Sequence, residues 1–243
     1  MAQLPIHMAS EFFGEEERCV YLPGERSRMS YRYLNTCSPE TYQTLLERGW
    51  RRFGRVFFRP ACASCSECRS LRVDVRAFQP NRSMQRTERR NRGLNMLVRR
   101  PTLTEAHLDL YQRYHQDMAL RRDWDVREAD PEDYFTTFVE GYESYGHEFL
   151  LLDGRELIAV ALVDLLPQAL SAVYCFYDPE RRSRALGVFA VLMQLQWARR
   201  HGIPYVYLGY RVKGNASMAY KAQYRRHQIL QGRPVLDETP DWR

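Results

Sequence analysis

"HEFLLLDGRELIAVALVDLL" occupies residues 147–166, and it decides the fold of this chain. Two apolar runs in it are separated by Asp153 and Gly154, a dipeptide typical of the tight turn of a β-hairpin. A third apolar run, "SAVYCFYDP" at 171–179, ends at Pro179, which lacks the N–H that a continuing strand would need. These residues predict three antiparallel strands in succession.

The residues after this meander predict a helix, a buried strand and a final helix. "ALGVFAVLMQLQWARRHG" at 185–202 has the length of a helix, and Gly202 is a typical C-terminal stop. "PYVYLGY" at 204–210 is a short apolar strand, and "NASMAYKAQYRRHQIL" at 215–230 predicts the last helix. The order β-β-β-α-β-α resembles the acyl-CoA N-acyltransferase (GNAT) architecture, in which two strands splay apart to hold an acyl donor and admit an amine. The predicted fold is therefore α+β, a GNAT-like mixed sheet with helices.

The first hundred residues predict a smaller lobe that contains a cysteine cluster. In it, strands precede and follow the cysteines, and a short helix comes before them. We place the boundary near Pro101, which divides the chain into an N-terminal lobe at 1–100 and a GNAT-like domain at 101–243. Two helices, the second capped by Asp130, are predicted to open the second domain.

Composition and charge narrow the class of protein. Hydrophobic residues make up 44% of the 243 residues, which is typical of a folded globular chain. The net charge of +6 favours a polyanionic partner such as nucleic acid. The N-terminus carries acidic residues where a secretory signal would need an apolar run, and polar residues at 153–156 interrupt the most apolar stretch. We therefore expect a cytoplasmic protein that does not span a membrane.

Three of the six cysteines, Cys62, Cys65 and Cys68, have the spacing of metal ligands. A tetrahedral zinc site or an iron–sulfur cluster would need a fourth ligand. Free thiols that pack as small hydrophobic groups are the alternative. The spacing leaves zinc, an iron–sulfur cluster and free thiols all open.

A basic face is predicted between residues 81 and 100. Arg82, Arg86, Arg89 and Arg90 fall at helical spacing on one side of the predicted helix. Such a face supplies the phosphate contacts that bind nucleic acid, and a solvated arginine face is the structural alternative.

Seven short segments, spread over nearly the whole chain, carry a resemblance to a known family. They are "LPIH" at 4–7, "CVYLPGERSRM" at 19–29, "RPACASCSECRSLRV" at 59–73, "NRSMQRTERRNR" at 81–92, "FYDPERRSRALG" at 176–187, "YVYLGY" at 205–210 and "MAYK" at 218–221. In this order and spacing they resemble the bacterial aspartate/glutamate leucyltransferases, relatives of the eukaryotic arginyl-tRNA-protein transferases. The resemblance implies transfer of leucine from leucyl-tRNA to the α-amine of proteins that begin with Asp or Glu, which creates an N-terminal degradation signal. It also implies Cys19 as the fourth ligand of the cysteine cluster, with Cys37 as the alternative.

The chain departs from the family pattern near its end. Ser217 replaces the first lysine of Lys-Met-x-Tyr-Lys, and residues 224–227 replace the usual Phe-Arg-Pro, whereas Tyr220 and Lys221 are kept. The donor amino acid, leucine or arginine, therefore stays open. A non-catalytic RNA-binding module with a zinc-ribbon-like N-terminus is a rival hypothesis from another class.

The implied reaction is aminolysis of an ester, so the attacking α-ammonium must first lose a proton. Asp178, at the end of the third strand, is predicted to accept that proton, or else to cap the turn that follows. Tyr174, Tyr207 and Tyr210 either line the aminoacyl pocket or pack in the core. Lys221 is predicted to neutralise a terminal tRNA phosphate or to assist the leaving ribose hydroxyl.

The acceptor side chain is acidic and calls for a guanidinium, which can grip a carboxylate with two hydrogen bonds. Arg72 and Arg76, next to the cysteine cluster, are the candidates, and Tyr220 is a further candidate for substrate binding. A coenzyme A donor is not expected, because bulky Phe189 stands where a pyrophosphate-binding turn needs a small residue. The expected partners are leucyl-tRNA and proteins with N-terminal Asp or Glu, and the chemistry itself needs no cofactor.

Overall fold

Fourteen strands and six α-helices form in the residues that this computed structural model describes, 10–122, 124–125, 128–141 and 144–243. The segment "LPIH" lies outside the described residues. The strands are β1 (Phe12–Phe13), β2 (Glu17–Arg18), β3 (Arg26–Ser27), β4 (Met29–Tyr33), β5 (Arg51–Phe53), β6 (Val56–Pro60), β7 (Arg69–Asp74), β8 (Asn95–Arg99), β9 (Gly146–Asp153), β10 (Glu156–Leu166), β11 (Ala169–Tyr177), β12 (Tyr205–Arg211), β13 (His227–Gln231) and β14 (Asp241–Trp242). The α-helices are α1 (Pro39–Glu47), α2 (Arg82–Arg90), α3 (Glu105–Arg122), α4 (Pro131–Tyr134), α5 (Leu186–Arg200) and α6 (Ala216–Ala219).

The large sheet has eight strands in the order β14-β13-β7-β12-β11-β10-β9-β8. The predicted meander is confirmed, because β9, β10 and β11 pair antiparallel in succession, and Gly154 and Arg155, directly after Asp153, make the first connection. The strand β12 then runs parallel to β11, after the predicted helix α5. The fold is thus α+β with a large mixed sheet.

The strand β7 lies inside this sheet, between β12 and β13. Its residues pair antiparallel with both neighbours, for example Val73 with Val206 and with His227. The edge strand β8 also comes from the first hundred residues, and it pairs with β9. A division of the chain at residue 100 would therefore cut through the large sheet rather than separate two lobes. The N-terminal part also forms a four-stranded sheet in the order β1-β4-β6-β5, which packs against the large sheet, and a two-stranded sheet of β2 and β3.

Helices cover both faces of the large sheet. One face packs against α5, in a core that includes Leu71, Val206 and Leu192, and α2 lies against α5. The other face packs against α1 and α3, which cover different parts of it. Between them, β5 is tied down by the buried ion pair of Arg52 with Asp164 on β10, in which Nε lies 3.0 Å from Oδ2.

Local capping explains where the predicted helices begin. The Ser38 hydroxyl accepts a hydrogen bond from the Thr41 N–H, so α1 begins as predicted. Asn81 caps α2 in the same way, with Oδ1 3.0 Å from the Met84 N–H. Asp130 caps α4 as predicted, and a π-helical turn at 135–139 continues it.

Two predictions for secondary structure are wrong. The final helix, predicted over 215–230, is only α6 and a 3₁₀ turn at 220–223, and its last residues form β13. Pairing of β13 with β7 outweighs the helix propensity of these residues, since it satisfies the backbone of both strands. The residues just before the cysteines, 51–60, predict a single strand that ends at Pro60, but they form a hairpin of β5 and β6.

Candidate functional site

The strands β11 and β12 pair only where they begin and then diverge. Ala169, Leu170 and Ser171 pair with 205–207, and no pairing continues beyond Ser171 and Tyr207 in the described part of these strands. A β-bulge at Gly209, whose φ is +79°, lies where the strands part. The divergence leaves backbone groups of both strands facing a gap between them.

Arg51 occupies this gap from the α1 face of the sheet. Its Nη1 donates a 3.0 Å hydrogen bond to the Ser171 hydroxyl, and Nη2 donates to the Ala172 carbonyl oxygen. The side chain is buried, and its guanidinium therefore takes the place of a strand partner for β11. The sequence alone does not predict this role of Arg51, because its partner Ser171 lies 120 residues further along the chain.

Lys221 approaches the same gap from the side of β12. Its ammonium donates a 2.7 Å hydrogen bond to the Tyr210 carbonyl oxygen. A Cβ atom at Gly209 would lie 3.7 Å from both Lys221 Nζ and Arg51 Nε. Both cationic side chains therefore lie next to Gly209. Burial, followed by the Arg51 charge, lowers the pKa of Lys221 to about 7, although Cys68 acts in the opposite direction. A lysine that gains and loses its proton near neutral pH is suited to proton transfer.

The three predicted phenols lie on the face of the sheet that carries Arg51, and each hydroxyl has a partner. Tyr210 donates to the carbonyl oxygens of Gly49, at 2.9 Å, and Phe58, at 3.2 Å. The Tyr174 hydroxyl lies 3.0 Å from His115 Nε2, within an aromatic cluster against α3. Burial raises the pKa of Tyr210 well above its usual value. These contacts fit the core-packing alternative, and a role in the aminoacyl pocket stays a prediction.

The predicted acceptor residues do not form one group. Arg72 donates to the Tyr207 hydroxyl at 3.0 Å and is stacked between the rings of Tyr205 and Trp242. Arg76 is exposed in the turn after β7, and no contact between it and Arg72 is found in the described part of the chain. The structure therefore brings together Arg72 and Tyr207 but not the predicted arginine pair.

Tyr220 lies in the segment that follows β12, beside the gap. Tyr220 is 46% exposed, and desolvation of its hydroxyl, followed by the charges of Cys175 and Tyr177, raises its pKa. These neighbours belong to β11, so the segment bridges from β12 toward β11. Burial also raises the pKa of Cys175 to about 12, which disfavours that thiol as a nucleophile.

Asp178 has the structural role that the sequence left open. Its Oδ1 accepts hydrogen bonds from the Glu180 N–H and from Arg113, each at 3.0 Å, and Oδ2 accepts one from Arg181 at 3.0 Å. The carboxylate is buried and caps the 3₁₀ turn at 179–184. Both oxygens already hold fixed donors, so a role in proton transfer stays a prediction without support from geometry.

The predicted cysteine cluster is brought together in part. Burial, followed by the nearby thiols of Cys19, Cys62 and Cys65, raises the pKa of Cys68 to about 12. Within the described residues, however, no three His, Cys, Asp or Glu side chains are placed so that they could hold a metal ion. Cys37 lies in a different environment, among Arg52, Tyr145 and Asp164. The structure thus favours Cys19 over Cys37 as the fourth member.

The basic face of α2 forms as predicted. Met84 and Thr87 are buried toward the core, while Arg82, Arg86, Arg89 and Arg90 are all exposed. Asn91 ends the helix and donates to the Arg184 carbonyl oxygen at 2.8 Å. The helix therefore presents a row of cations to solvent.

Two family models match the chain. The model described as "Arginine-tRNA-protein transferase, N terminus" matches residues 17–86, and "Arginine-tRNA-protein transferase, C terminus" matches residues 106–231. Together the two matched segments include most of the chain. The C-terminus model spans β11, β12, Lys221 and β13.

Relatives of similar length match as well. The aspartate/glutamate leucyltransferase of Campylobacter jejuni subsp. jejuni is 39% identical over 224 residues, which cover 92% of this chain and 94% of the relative. That of Helicobacter hepaticus is 35% identical over 232 residues, or 96% of each chain. That of Pseudomonas fluorescens is 40% identical over 216 residues, covering 87% of this chain and 89% of the relative.

A solved structure supports the fold at a greater distance. The crystal structure of FemX superposes with a TM-score of 0.50 and 9% identity, covering 85% of this chain and 83% of that one. No helix of the described residues is both long enough and apolar enough to cross a membrane. The two family models and the relatives at 35–40% identity confirm the resemblance carried by the short segments, and the chain belongs to the aspartate/glutamate leucyltransferases, with both regions of the arginine-tRNA-protein transferase family.

Proposed function

We propose that this protein transfers leucine from leucyl-tRNA to the N-terminal α-amine of proteins that begin with Asp or Glu. The observation that carries the proposal is the match to named leucyltransferases over at least 92% of both chains, at 35–39% identity. The product would carry a new N-terminal leucine as a degradation signal, and a cytoplasmic location is part of the proposal. Leucyl-tRNA, and not coenzyme A, is the proposed donor.

The gap between β11 and β12 is the proposed place of reaction. The pairing of these strands at 169–171 and their separation beyond it support the GNAT-like cleft that the element order predicts. In the reaction the acceptor nitrogen attacks the ester carbonyl carbon, and the bond from that carbon to the ribose oxygen breaks. The buried guanidinium of Arg51 provides fixed positive charge beside the gap for the oxyanion that forms.

Lys221 is the proposed carrier of the proton. As a neutral amine it accepts a proton from the attacking nitrogen, and as an ammonium it returns that proton to the leaving ribose oxygen. Its position beside Gly209 and its pKa of about 7 support this role. The role extends the expectation that Lys221 assists the leaving hydroxyl, and it replaces Asp178 as the leading candidate for the base.

The exposed arginines of α2 are the proposed tRNA contact. Arg82, Arg86, Arg89 and Arg90 form a cationic row on one helix face, which suits the regularly spaced phosphates of RNA. Such contacts position the nucleic acid without reading its sequence. Recognition of the leucyl group would then depend on other residues.

Cys19, Cys62, Cys65 and Cys68 are the proposed holders of zinc or an iron–sulfur cluster. The thiols lie close enough for three of them to raise the pKa of Cys68, and a bound cation would stabilise the thiolate forms. Their side chains would have to turn to converge, because no set of three ligands is in place among the described residues. The group would supply a structural link between the N-terminal strands, and no step of the transfer uses it.

The direct test is transfer of radiolabelled leucine, and separately arginine, from charged tRNA to peptides that begin with Glu, Asp or Lys. Leucine on the Glu and Asp peptides alone is the expected result. Arginine on the same peptides would instead assign arginyl transfer. Tight binding of uncharged tRNA with no transfer from either donor, by folded protein, would leave the RNA-binding module as the function.

A further inference from the structure

Four arginines surround a cavity of about 340 Å³ on the α1 face of the sheet. It is lined by the side chains of Arg48, Arg59, Arg69 and Arg233, together with residues such as Tyr210 and Cys68. No lining residue is acidic. Like charges gathered around one cavity repel each other, and an anion in the cavity would relieve that repulsion.

Neutral groups orient three of the four guanidinium groups. Arg48 donates to the carbonyl oxygens of Thr44, Val235 and Glu238, and Arg233 donates to those of Cys62 and Cys65. Arg69 donates to the side-chain oxygen of Gln231. In the part of the chain that the structure describes, none of these three arginines is paired with a carboxylate. Their positive charges are therefore fixed in place and not neutralised.

Arg59 differs from the other three. It donates to the Pro234 carbonyl oxygen at 3.0 Å and forms a 3.4 Å ion pair with Glu11. Its charge is thus already shared with a carboxylate. Among the four, Arg69 keeps the smallest set of partners, a single amide oxygen, and is the best placed to bind a ligand.

The cavity adjoins the gap where transfer is proposed. Tyr210 lines the cavity, and its carbonyl oxygen holds the ammonium of Lys221 beside the gap. Cys68 also lines the cavity. A ligand that enters both places would have its anion in the cavity and its reacting atom near Lys221.

Size and lining favour a carboxylate over a nucleotide. A cavity of about 340 Å³ accommodates the first residue of a peptide. Recognition of a single-stranded RNA end relies on aromatic rings on which bases stack. Tyr210 is the aromatic residue of the lining, and its hydroxyl is held by two backbone carbonyls.

We propose that this arginine-lined cavity binds the acidic side chain of the acceptor's N-terminal residue, with Arg69 as the main residue that determines specificity. The proposal rests on the proposed function and names the site that selects its acceptor. It differs from the sequence-based expectation for Arg72, whose guanidinium is stacked between two rings and bonded to Tyr207 and Gln228.

The test compares Arg69→Gln with the unmodified protein on two peptides that differ only in their first residue, Glu or Gln. The unmodified protein is expected to prefer the Glu peptide in kcat/KM. In Arg69→Gln that preference falls about tenfold to a hundredfold, as expected for loss of a charged hydrogen bond. The rate on the Gln peptide and the KM for leucyl-tRNA stay unchanged. Arg155→Gln, a change of equal charge at an exposed hairpin turn, keeps the preference.

Two results would overturn the assignment. A raised KM for leucyl-tRNA, with equal losses on both peptides, would show that the cavity binds an RNA phosphate. If Arg72→Gln lost the preference for the Glu peptide while Arg69→Gln kept it, Arg72 and not Arg69 would be the residue that binds the acceptor.

Calorimetry without tRNA separates this proposal from the proposed function. Binding of the Glu peptide but not the Gln peptide, lost in Arg69→Gln, would support the cavity even if no leucine were transferred. Equal binding of both peptides, or binding that survives Arg69→Gln, would refute it. Thermal unfolding of each variant verifies that the chain is folded.

Discussion

Lys221 holds the Tyr210 carbonyl oxygen at 2.7 Å, in place of the strand partner that β12 loses where it leaves β11. On the opposite side of the gap, Arg51 does the same for Ala172. Each of the two diverging strands therefore has a backbone carbonyl oxygen that accepts a hydrogen bond from a cationic side chain. The arrangement keeps the gap open and places a titratable amine inside it.

Replacing Lys221 with Met is expected to lower kcat by about 10²- to 10⁴-fold, the usual contribution of a proton-transfer group. Because the pKa of Lys221 is lowered to about 7, the neutral amine that accepts a proton becomes available as pH rises. In the unmodified protein, kcat should therefore rise through about pH 7 and level off above it. In the Met variant that inflection should be absent.

The same variant carries its own folding control. A lysine whose pKa is lowered by folding destabilises the folded state below its unfolded pKa, since folding then releases a proton. That cost grows as pH falls from 10.5 toward about 7 and is constant below it. At pH 7, the urea midpoint of unfolding of Lys221→Met should therefore be equal to or higher than that of the unmodified protein. A clearly lower midpoint would attribute the loss of activity to misfolding.

Replacing Asp178 with Asn separates its two predicted roles. Asn keeps an oxygen that can cap the turn after β11, but it loses the charge that pairs with Arg113 and Arg181. We expect a loss of about 1–3 kcal/mol in the free energy of unfolding, and kcat within about threefold of the unmodified value. A fall in kcat of about a hundredfold at full stability would restore Asp178 as the base.

Removing charge from α2 should weaken binding of tRNA without changing the fold. Arg82 and Arg86 are exposed, so the double change to Gln leaves the core intact. The logarithm of tRNA affinity should depend less steeply on the logarithm of salt concentration, by about one unit for each lost phosphate contact. Arg155→Gln is the matched control, and an equal salt dependence in all three proteins would contradict the tRNA role.

The buried pair of Arg52 and Asp164 should be essential for stability. Arg52→Leu leaves a buried carboxylate without its cation, and we expect a loss of about 3–5 kcal/mol in the free energy of unfolding in urea. Replacing both residues with Leu should recover a large part of that loss. If the single and double variants were equally unstable, the packing of Arg52 on Tyr42 and Tyr145, and not its charge, would be the cause.

Metal analysis of protein purified without oxygen tests the cysteine cluster. We expect about one equivalent of zinc, or the iron of one cluster, and a lower melting temperature after chelation. Cys62→Ser should lose the metal, whereas Cys37→Ser should retain it, because Cys37 is buried near Arg52 instead. Less than about 0.1 equivalent of zinc and iron in the unmodified protein would refute the proposal.

Local signals account for the elements that the sequence predicts correctly. Ser38, Asn81 and Asp130 each cap a helix within three residues, and Gly154, whose φ is +64°, turns the chain between β9 and β10. These caps and this turn depend only on residues that are close together in the sequence. The edge strand β8 and the partners of β7 depend on contacts made far along the chain, and the final helix fails for the same reason.

The candidate site also contains one residue that a local pattern predicts and others that depend on distant parts of the chain. Lys221 is predicted from a short motif that the family shares. Arg51 could not be predicted, since an Arg-Arg pair before a phenylalanine has no special pattern and its partners, Ser171 and Ala172, lie in another sheet. The arginine cavity draws its four cations from distant segments, so only the folded chain brings them together.

The placement of β7 has a consequence for biosynthesis. Both edges of this strand are completed only by residues 205–211 and 227–231, which leave the ribosome long after residues 69–74. A nascent chain would therefore expose Leu71 and Val73 and hold β7 with two unpaired edges until those later residues emerge, a state that invites aggregation. The segment that the N-terminus family model matches, residues 17–86, contains β7 without β12 and β13, so we expect it not to fold on its own. A chaperone that shields β7 during translation should raise the yield of active protein.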